Sequence, residues 1–317
     1  MAGPDKRRKS TGKGPSLPND KNAPLDASYK PNPDRVPFKD EVAENLVPPT
    51  PPPVAVPSQL DGGMIRESIS QSGAPHYTVE WEGRELFVGF PCYKTTNPVT
   101  AWCLLAIALD LGKEKVRFDM ELGDAMIYHA RNRLAEKFLA TDAKWMLMID
   151  DDTIPPIGRP EFFKTMCRLP ADYPHESASR HVVHRLIGHQ KTLVGGCYFG
   201  RQPGGALMAA VAVDPAVRRS VLLHEDRLVE SDWVGTGCLL IHRTVFEAIR
   251  IKFPELAPRT TGQPFNFFQP MQDGAGEDIA FCMRANAAGH RPHLDLGLQC
   301  AHVGYACYAS HTSGVGG

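Results

Sequence analysis

Lys144-Trp145-Met146-Leu147-Met148-Ile149-Asp150-Asp151-Asp152-Thr153 is the stretch from which the fold of this chain is read. Lys144 to Ile149, apolar after its first residue, reads as a buried strand, and Pro155-Pro156 just beyond stops any helix. The strand runs straight into three adjacent carboxylates, which repel one another unless a cation relieves the charge. Mg²⁺ and Mn²⁺ are hard ions that take oxygen ligands, typically one or two carboxylates together with phosphate oxygens and water. An Asp-x-Asp is common by itself, and a solvated acidic loop is the plain alternative. Its place behind a buried strand gives it weight.

Working outward, Leu86 to Phe90 is a short apolar run of strand length, and Pro98 opens an apolar helix through Leu111. Val116 to Met120 reads as a second strand and Ala125 to Leu139 as an amphipathic helix. Strand and helix alternating at this spacing argue for an open α/β sheet with crossover helices, whose ligands bind outside the carboxyl ends of the strands. Downstream, Gly274-Ala275-Gly276-Glu277-Asp278 leads into a helix of about three turns ending near Gly289. Glu277 and Asp278 fall in its first turn, where the macrodipole favours negative charge. They read either as capping residues or as carboxylates held at a cleft to accept a proton. His302 follows the strand-like run from Leu294, and beside the aspartates it is the natural third metal ligand.

Composition bounds the rest. The 317 residues are 42% apolar and 22% charged, enough for a sizeable core, and the net charge of -1 leaves no global field toward nucleic acid, membrane or acidic polymer. Thirteen of the 28 prolines lie in the first sixty residues. Residues 1–75 therefore read as a disordered basic and Pro-rich arm, with Lys6, Arg7, Arg8, Lys9 and Lys13 as its head, and residues 76–317 as one folded domain. The eight cysteines have no paired spacing and read as reduced, buried thiols. No apolar run follows the basic N-terminus as in a signal peptide, and the longest, around Ala101 to Leu109, falls short of the ~20 residues of a membrane span. A cytoplasmic protein with no membrane partner is expected. His175, His181, His184 and His189 suggest zinc, but no cysteine or carboxylate completes a ligand set, and a solvated helix is the favoured reading.

Taken together, these motifs, with Leu86 to Tyr93 ending in Pro-x-Tyr and Ala130-Arg131-Asn132 before the aspartates, resemble nucleotide-sugar glycosyltransferases of the GT-A fold, a Rossmann-like open mixed sheet flanked by helices. The likeness is greatest to family-two-like members found in tailed-phage genomes, and covers roughly Leu86 to Gly304. It takes in Val234 to Ile241 as a glycine-containing turn and strand near sugar and acceptor, and Val194 to Tyr198 as a central strand. The resemblance implies that Pro91 and Tyr93 line the nucleobase pocket, that Arg131 approaches base or phosphates, and that Asp150 and Asp151 belong to the donor site. It implies metal binding by Asp150, Asp152 and His302, with Asp278 as the base and Glu277 beside it. Lys94 stands where many relatives carry Asn or Asp, and Glu121-Leu122-Gly123-Asp124 replaces a more usual Asp-Asp-x-Ser.

The activity implied is transfer of a sugar from a nucleotide sugar, a UDP-sugar first, to an acceptor hydroxyl, with Mn²⁺ or Mg²⁺ neutralising the leaving diphosphate and with inversion. The expected acceptor is a hydroxymethylated pyrimidine in phage DNA, held partly by the basic arm through phosphate contacts. Transfer to polysaccharide or protein, and a non-catalytic sugar- or nucleic-acid-binding protein, are the alternatives. Nucleotidyl transfer would want a Gly-rich loop ending in Lys-Ser/Thr, and the sequence has none.

Overall fold

The computed structural model describes residues 64–69, 75–81, 83, 85–169, 178–201, 207–211, 227–304 and 307–308. In chain order the elements are β1 (Met64–Ile69), β2 (Pro75–Glu80), β3 (Leu86–Cys92), α1 (Pro98–Leu111), β4 (Val116–Leu122), α2 (Ile127–Leu139), β5 (Trp145–Ile149), β6 (Thr153–Ile154) and α3 (Pro160–Cys167). There follow α4 (Val182–Gly188), β7 (Leu193–Cys197), β8 (Ala209–Val211), β9 (Leu228–Val234), β10 (Cys238–His242) and α5 (Arg243–Lys252). The chain continues through α6 (Glu277–Ala287), β11 (His293–Gln299), β12 (Ala301–Val303) and β13 (Cys307–Tyr308).

The architecture is the expected α/β class, an open mixed sheet flanked by helices. Its eight described strands run in the order β4-β3-β5-β10-β7-β11-β9-β8. β4, β3 and β5 are parallel, as the strand-helix alternation requires, and β7 pairs parallel with β11. β10 is antiparallel to both β5 and β7, and β9 and β8 extend the far edge antiparallel. Alternate residues of the central strands point to opposite layers. Trp145, Leu147, Ile149, Val194 and Leu240 join one apolar core, and Met146, Met148, Leu193, Leu239 and Ile241 join the other. A strand buried on both faces reads as a continuous apolar run, which is why β5 is so plain in the sequence.

Local chemistry sets the helix ends. Asn97 caps α1 by accepting from Val99 N at 2.9 Å, with Pro98 in the first turn, and Gly112 closes the helix at φ 91°. α6 starts at Glu277 and its chain turns out at Gly289, φ 93°.

Two expectations need correction. Met64–Ile69, inside the stretch read as an arm, is a strand paired antiparallel with β2, whereas the basic head and residues 48–57 lie outside the described residues. The histidine-bearing helix α4 is not solvated: Val182, Val183, Leu186 and Ile187 are buried, because β2 lies against it. Val79 N donates to His184 Nδ1 at 3.1 Å, and Tyr77 meets His189 edge-on with centroids 5.8 Å apart. His189 Nε2 lies 2.6 Å from Asp295 Oδ2, so it is held in an ion cluster, and no group of three metal-binding side chains occurs among the described residues. His175 lies outside them.

Candidate functional site

The site gathers at the carboxyl end of β5, next to the end of β3 and the start of α6. Arg131 is its hub. It sits on the buried face of α2 with its side chain only 3% exposed, and its guanidinium reaches Asp150 at 2.8 Å, Glu277 at 2.7 Å and Asp278 at 2.8 Å. Three carboxylates on one buried cation leave two negative charges unbalanced if all are ionised. Burial alone would loosen the proton on Arg131, but Asp150, Asp278 and Glu277 together outweigh it and bind that proton more tightly.

Asp278 responds in the opposite sense. Burial raises its pKa, Arg131 opposes the rise, and Glu277 and Asp150 add to it. Its Oδ1 accepts from Thr236 Oγ1 at 2.8 Å as well as from Arg131, while Oδ2 has only a long contact of 3.4 Å from Thr236 N. One oxygen is thus anchored and the other is loosely held.

Thr236 lies in the turn between β9 and β10, and this turn is packed without slack. Gly237 N donates to the Tyr198 hydroxyl at 2.8 Å, and Asp150 N donates to Gly237 O at 3.1 Å. A Cβ on Gly235 would stand 2.2 Å from the Tyr198 hydroxyl oxygen, so a residue with any side chain forces Tyr198 aside. Tyr198, its phenol kept protonated by burial, also meets His302 edge-on at 5.5 Å and so joins the two halves of the site.

The second half is formed by the small sheet β6-β12-β13. His302 on β12 lies opposite Thr153 on β6, and Val303 N donates to Asp152 O at 2.8 Å, which brings Asp152 and His302 together. His302 Nδ1 faces Phe199 O at 2.8 Å; a carbonyl only accepts, so Nδ1 carries the ring proton and Nε2 presents a lone pair. Nε2 is 3.2 Å from Asp152 Oδ1, a buried oxygen with no hydrogen-bond partner. Arg201, beyond β7, donates from Nε to His302 Nε2 at 3.0 Å and pairs through Nη2 with Asp152 Oδ2 at 2.5 Å.

The remaining expected residues divide. Asp150, read as a metal ligand, has Oδ1 on Arg131, and Arg131 is enclosed by carboxylates instead of open to a phosphate. Asp151 is half-buried beside Cys92; burial, then Asp152, raises its pKa, and its carbonyl accepts from Asn97 N at 2.9 Å. Pro91 is buried near the end of β3 and Tyr93, 54% exposed, stands just past it with Lys94 over its ring. Glu121 and Asp124 are both held by Arg133. Sequence reasoning missed Arg201, Tyr198 and the hydroxyl of Thr236. Only the Gly-Thr-Gly turn carried a signal, because paired glycines mark close backbone approach.

No protein-family model matches the chain, and no curated protein matches it. Solved structures to which the chain shows similarity include the A197 protein from STIV, at TM-score 0.40 and 14% identity over 69% of this chain and 85% of that one. They include GalNAc-T7 with UDP, GalNAc and Mn²⁺, at TM-score 0.37 and 10% identity, where the match covers 75% of this chain and about half, 47%, of the other. A glycosyltransferase involved in glycosylation of the PBCV-1 major capsid matches at TM-score 0.26 and 11% identity, over 56% of this chain and 71% of its own. Among the described residues no helix is long and apolar enough to cross a membrane.

Proposed function

We propose that this protein is a metal-dependent glycosyltransferase that moves a sugar from a nucleotide-sugar donor, a UDP-sugar first, to an acceptor hydroxyl with inversion. The observation that carries this reading is the meeting of Asp152 and His302, with a buried carboxylate oxygen left unpartnered beside an imidazole lone pair. Both atoms are electron-pair donors 3.2 Å apart, and the group that faces the pair is the exposed Arg201, whose Nε meets His302 Nε2 and leaves Asp152 Oδ1 without a hydrogen-bond partner. That separation is close to the roughly 3 Å that adjacent ligands of a six-coordinate ion span at ~2.1 Å bond lengths. The donor set, one carboxylate and one imidazole, suits Mn²⁺ or Mg²⁺ with water and phosphate oxygens completing the shell. When bound, the ion supplies Lewis-acid neutralisation of the leaving diphosphate.

The chain's own residues do the rest. Asp278 takes the proton of the acceptor hydroxyl on Oδ2, its loosely held oxygen, while Arg131 and Thr236 fix Oδ1 and so the orientation of the carboxylate. Its raised pKa strengthens it as a base relative to an ordinary aspartate. Glu277, bound to the same Arg131 nitrogen as Asp278, Nη1, keeps that guanidinium from neutralising Asp278 fully. Attack from the face opposite the leaving group gives inversion. Pro91 and Tyr93, at the end of the neighbouring strand, are the residues for the nucleobase, with Asp151 on the donor side.

The acceptor we infer is a hydroxymethylated pyrimidine of DNA. Its support is the basic head from Lys6 to Lys13, in a chain whose net charge is -1. The experiment is turnover of UDP-sugars with modified DNA, protein and oligosaccharide acceptors, analysed by mass spectrometry, with added Mn²⁺ or a chelator. Loss of turnover in chelator, restored by Mn²⁺ and absent in Asp152→Ala and His302→Ala, is the expected result. Full activity in excess chelator overturns the metal reading, and a product of retained configuration removes Asp278 as the base.

A further inference from the structure

Arg201 is the one feature of this corner that a divalent-cation site does not need. Its Nε donates to the lone pair of His302 Nε2 at 3.0 Å and its Nη2 meets Asp152 Oδ2 at 2.5 Å. A single guanidinium therefore covers both groups that a cation would take. It does so incompletely, because its planar fork reaches Oδ2 and leaves Oδ1 of the same carboxylate buried and unpartnered. Unlike Arg131, it is not locked in place: its side chain is 56% exposed, against 3% for Arg131. It stands in the connection that leaves β7, whose sides are joined by the bridge between Phe199 and Leu207.

We propose that Arg201 is an exchangeable counter-ion: it neutralises the Asp152–His302 pair while no divalent cation is bound, is displaced when one binds, and then takes a phosphate of the nucleotide. This deepens the glycosyltransferase reading and rests on it. Two cations cannot hold the same lone pair, so His302 Nε2 must choose between the Nε proton and a metal ion. The ion pair given up is partly exposed and therefore cheap to break. Once released, the guanidinium lies within a side chain's reach of the bound ion and of the phosphates it would carry, and its fork matches phosphate geometry. The exchange keeps the site near charge balance in both states and makes metal and nucleotide binding support each other.

The test is a titration of the full chain with Mn²⁺, following free Mn²⁺ by electron paramagnetic resonance, for the wild type, Arg201→Gln, Arg201→Lys and Asp152→Ala. Removing a competing cation should tighten Mn²⁺ binding about three- to tenfold in Arg201→Gln, since the apparent affinity is reduced by the fraction of sites held closed. Arg201→Lys, which keeps the charge, should stay near the wild type, and Asp152→Ala should lose the site. Calorimetry with UDP at saturating Mn²⁺ should then show binding weakened several-fold in Arg201→Gln. Mn²⁺ affinity equal to or weaker than wild type in Arg201→Gln overturns the exchange. Unchanged UDP affinity overturns the phosphate contact alone. Failure of both wild type and Arg201→Gln to bind Mn²⁺ overturns the metal reading itself, and the exchange with it.

Discussion

Asp295 is a fully buried carboxylate and Asp278 a largely buried one, each facing a buried arginine, yet their proton affinities move in opposite directions. Asp295 on β11 is fully buried and accepts from Arg185 Nε at 2.7 Å, Arg185 Nη2 at 3.2 Å and Gly297 N at 2.9 Å, with His189 Nε2 at 2.6 Å. Burial would raise its pKa, but His189 and Arg185 outweigh it and hold the carboxyl well below the usual range. Asp278 shares Arg131 with two other acids, and there burial wins. What separates the two clusters is stoichiometry. One carboxylate with an arginine and a hydrogen-bonding histidine is matched in charge and ties α4 to the sheet; three carboxylates on one arginine are not, and such imbalance costs stability, which marks functional sites more often than structural ones.

The largest expected effect falls on the balanced cluster. Asp295→Ala leaves Arg185 buried without its carboxylate and should cost about 3–5 kcal/mol in denaturant unfolding. A loss under about 1 kcal/mol would remove the contrast. Next, Asp278→Asn should lower transfer by about 10²-fold or more while leaving the melting temperature unchanged or higher, because it takes one negative charge out of an overcharged cluster. Glu277→Gln should cost less activity. A melting-temperature drop as large as that of Asp295→Ala would mean that Asp278 is simply another structural anion. In the wild type, the rate limb that reports Asp278 should rise with pH at a value above that of an ordinary aspartate, and Asp278→Asn should abolish it.

A fourth substitution probes the turn that anchors Asp278 through Thr236. Gly235→Ala pushes a methyl group into the Tyr198 hydroxyl and should destabilise by about 1–3 kcal/mol, with activity falling as Thr236 shifts. Pairing it with Tyr198→Phe should recover part of the loss. The smallest effect is in acid. Asp295 is depressed in the fold, so its contribution is complete above the unfolded aspartate pKa near 3.9 and is lost as pH falls toward its folded value, on the order of 1 kcal/mol between about pH 5 and 3. Asp278, raised in the fold, has the opposite sign: its contribution is full at low pH and declines as pH rises through its folded pKa. Acid unfolding of Asp295→Ala should therefore lack the limb that the wild type and Asp278→Asn retain.

The sequence by itself determined what run length and local chemistry encode. β5 and the three aspartates after it, α1 between Pro98 and Gly112, and the acidic first turn of α6 are legible because the signals lie within a few residues of what they specify. Which basic residue of α2 turns inward was not legible: Arg131 and Arg133 are two positions apart, and only the packing of α2 against β3 and β4 turns the first toward Asp150, Glu277 and Asp278 as a buried hub and leaves the second 38% exposed. The antiparallel insertion of β10, the cover that β2 lays over α4, and the meeting of Asp152, His302 and Arg201 were likewise decided in the tertiary structure. A charge takes its role from the neighbours that share its low-dielectric surroundings, and those neighbours come from strands and helices far apart in the chain.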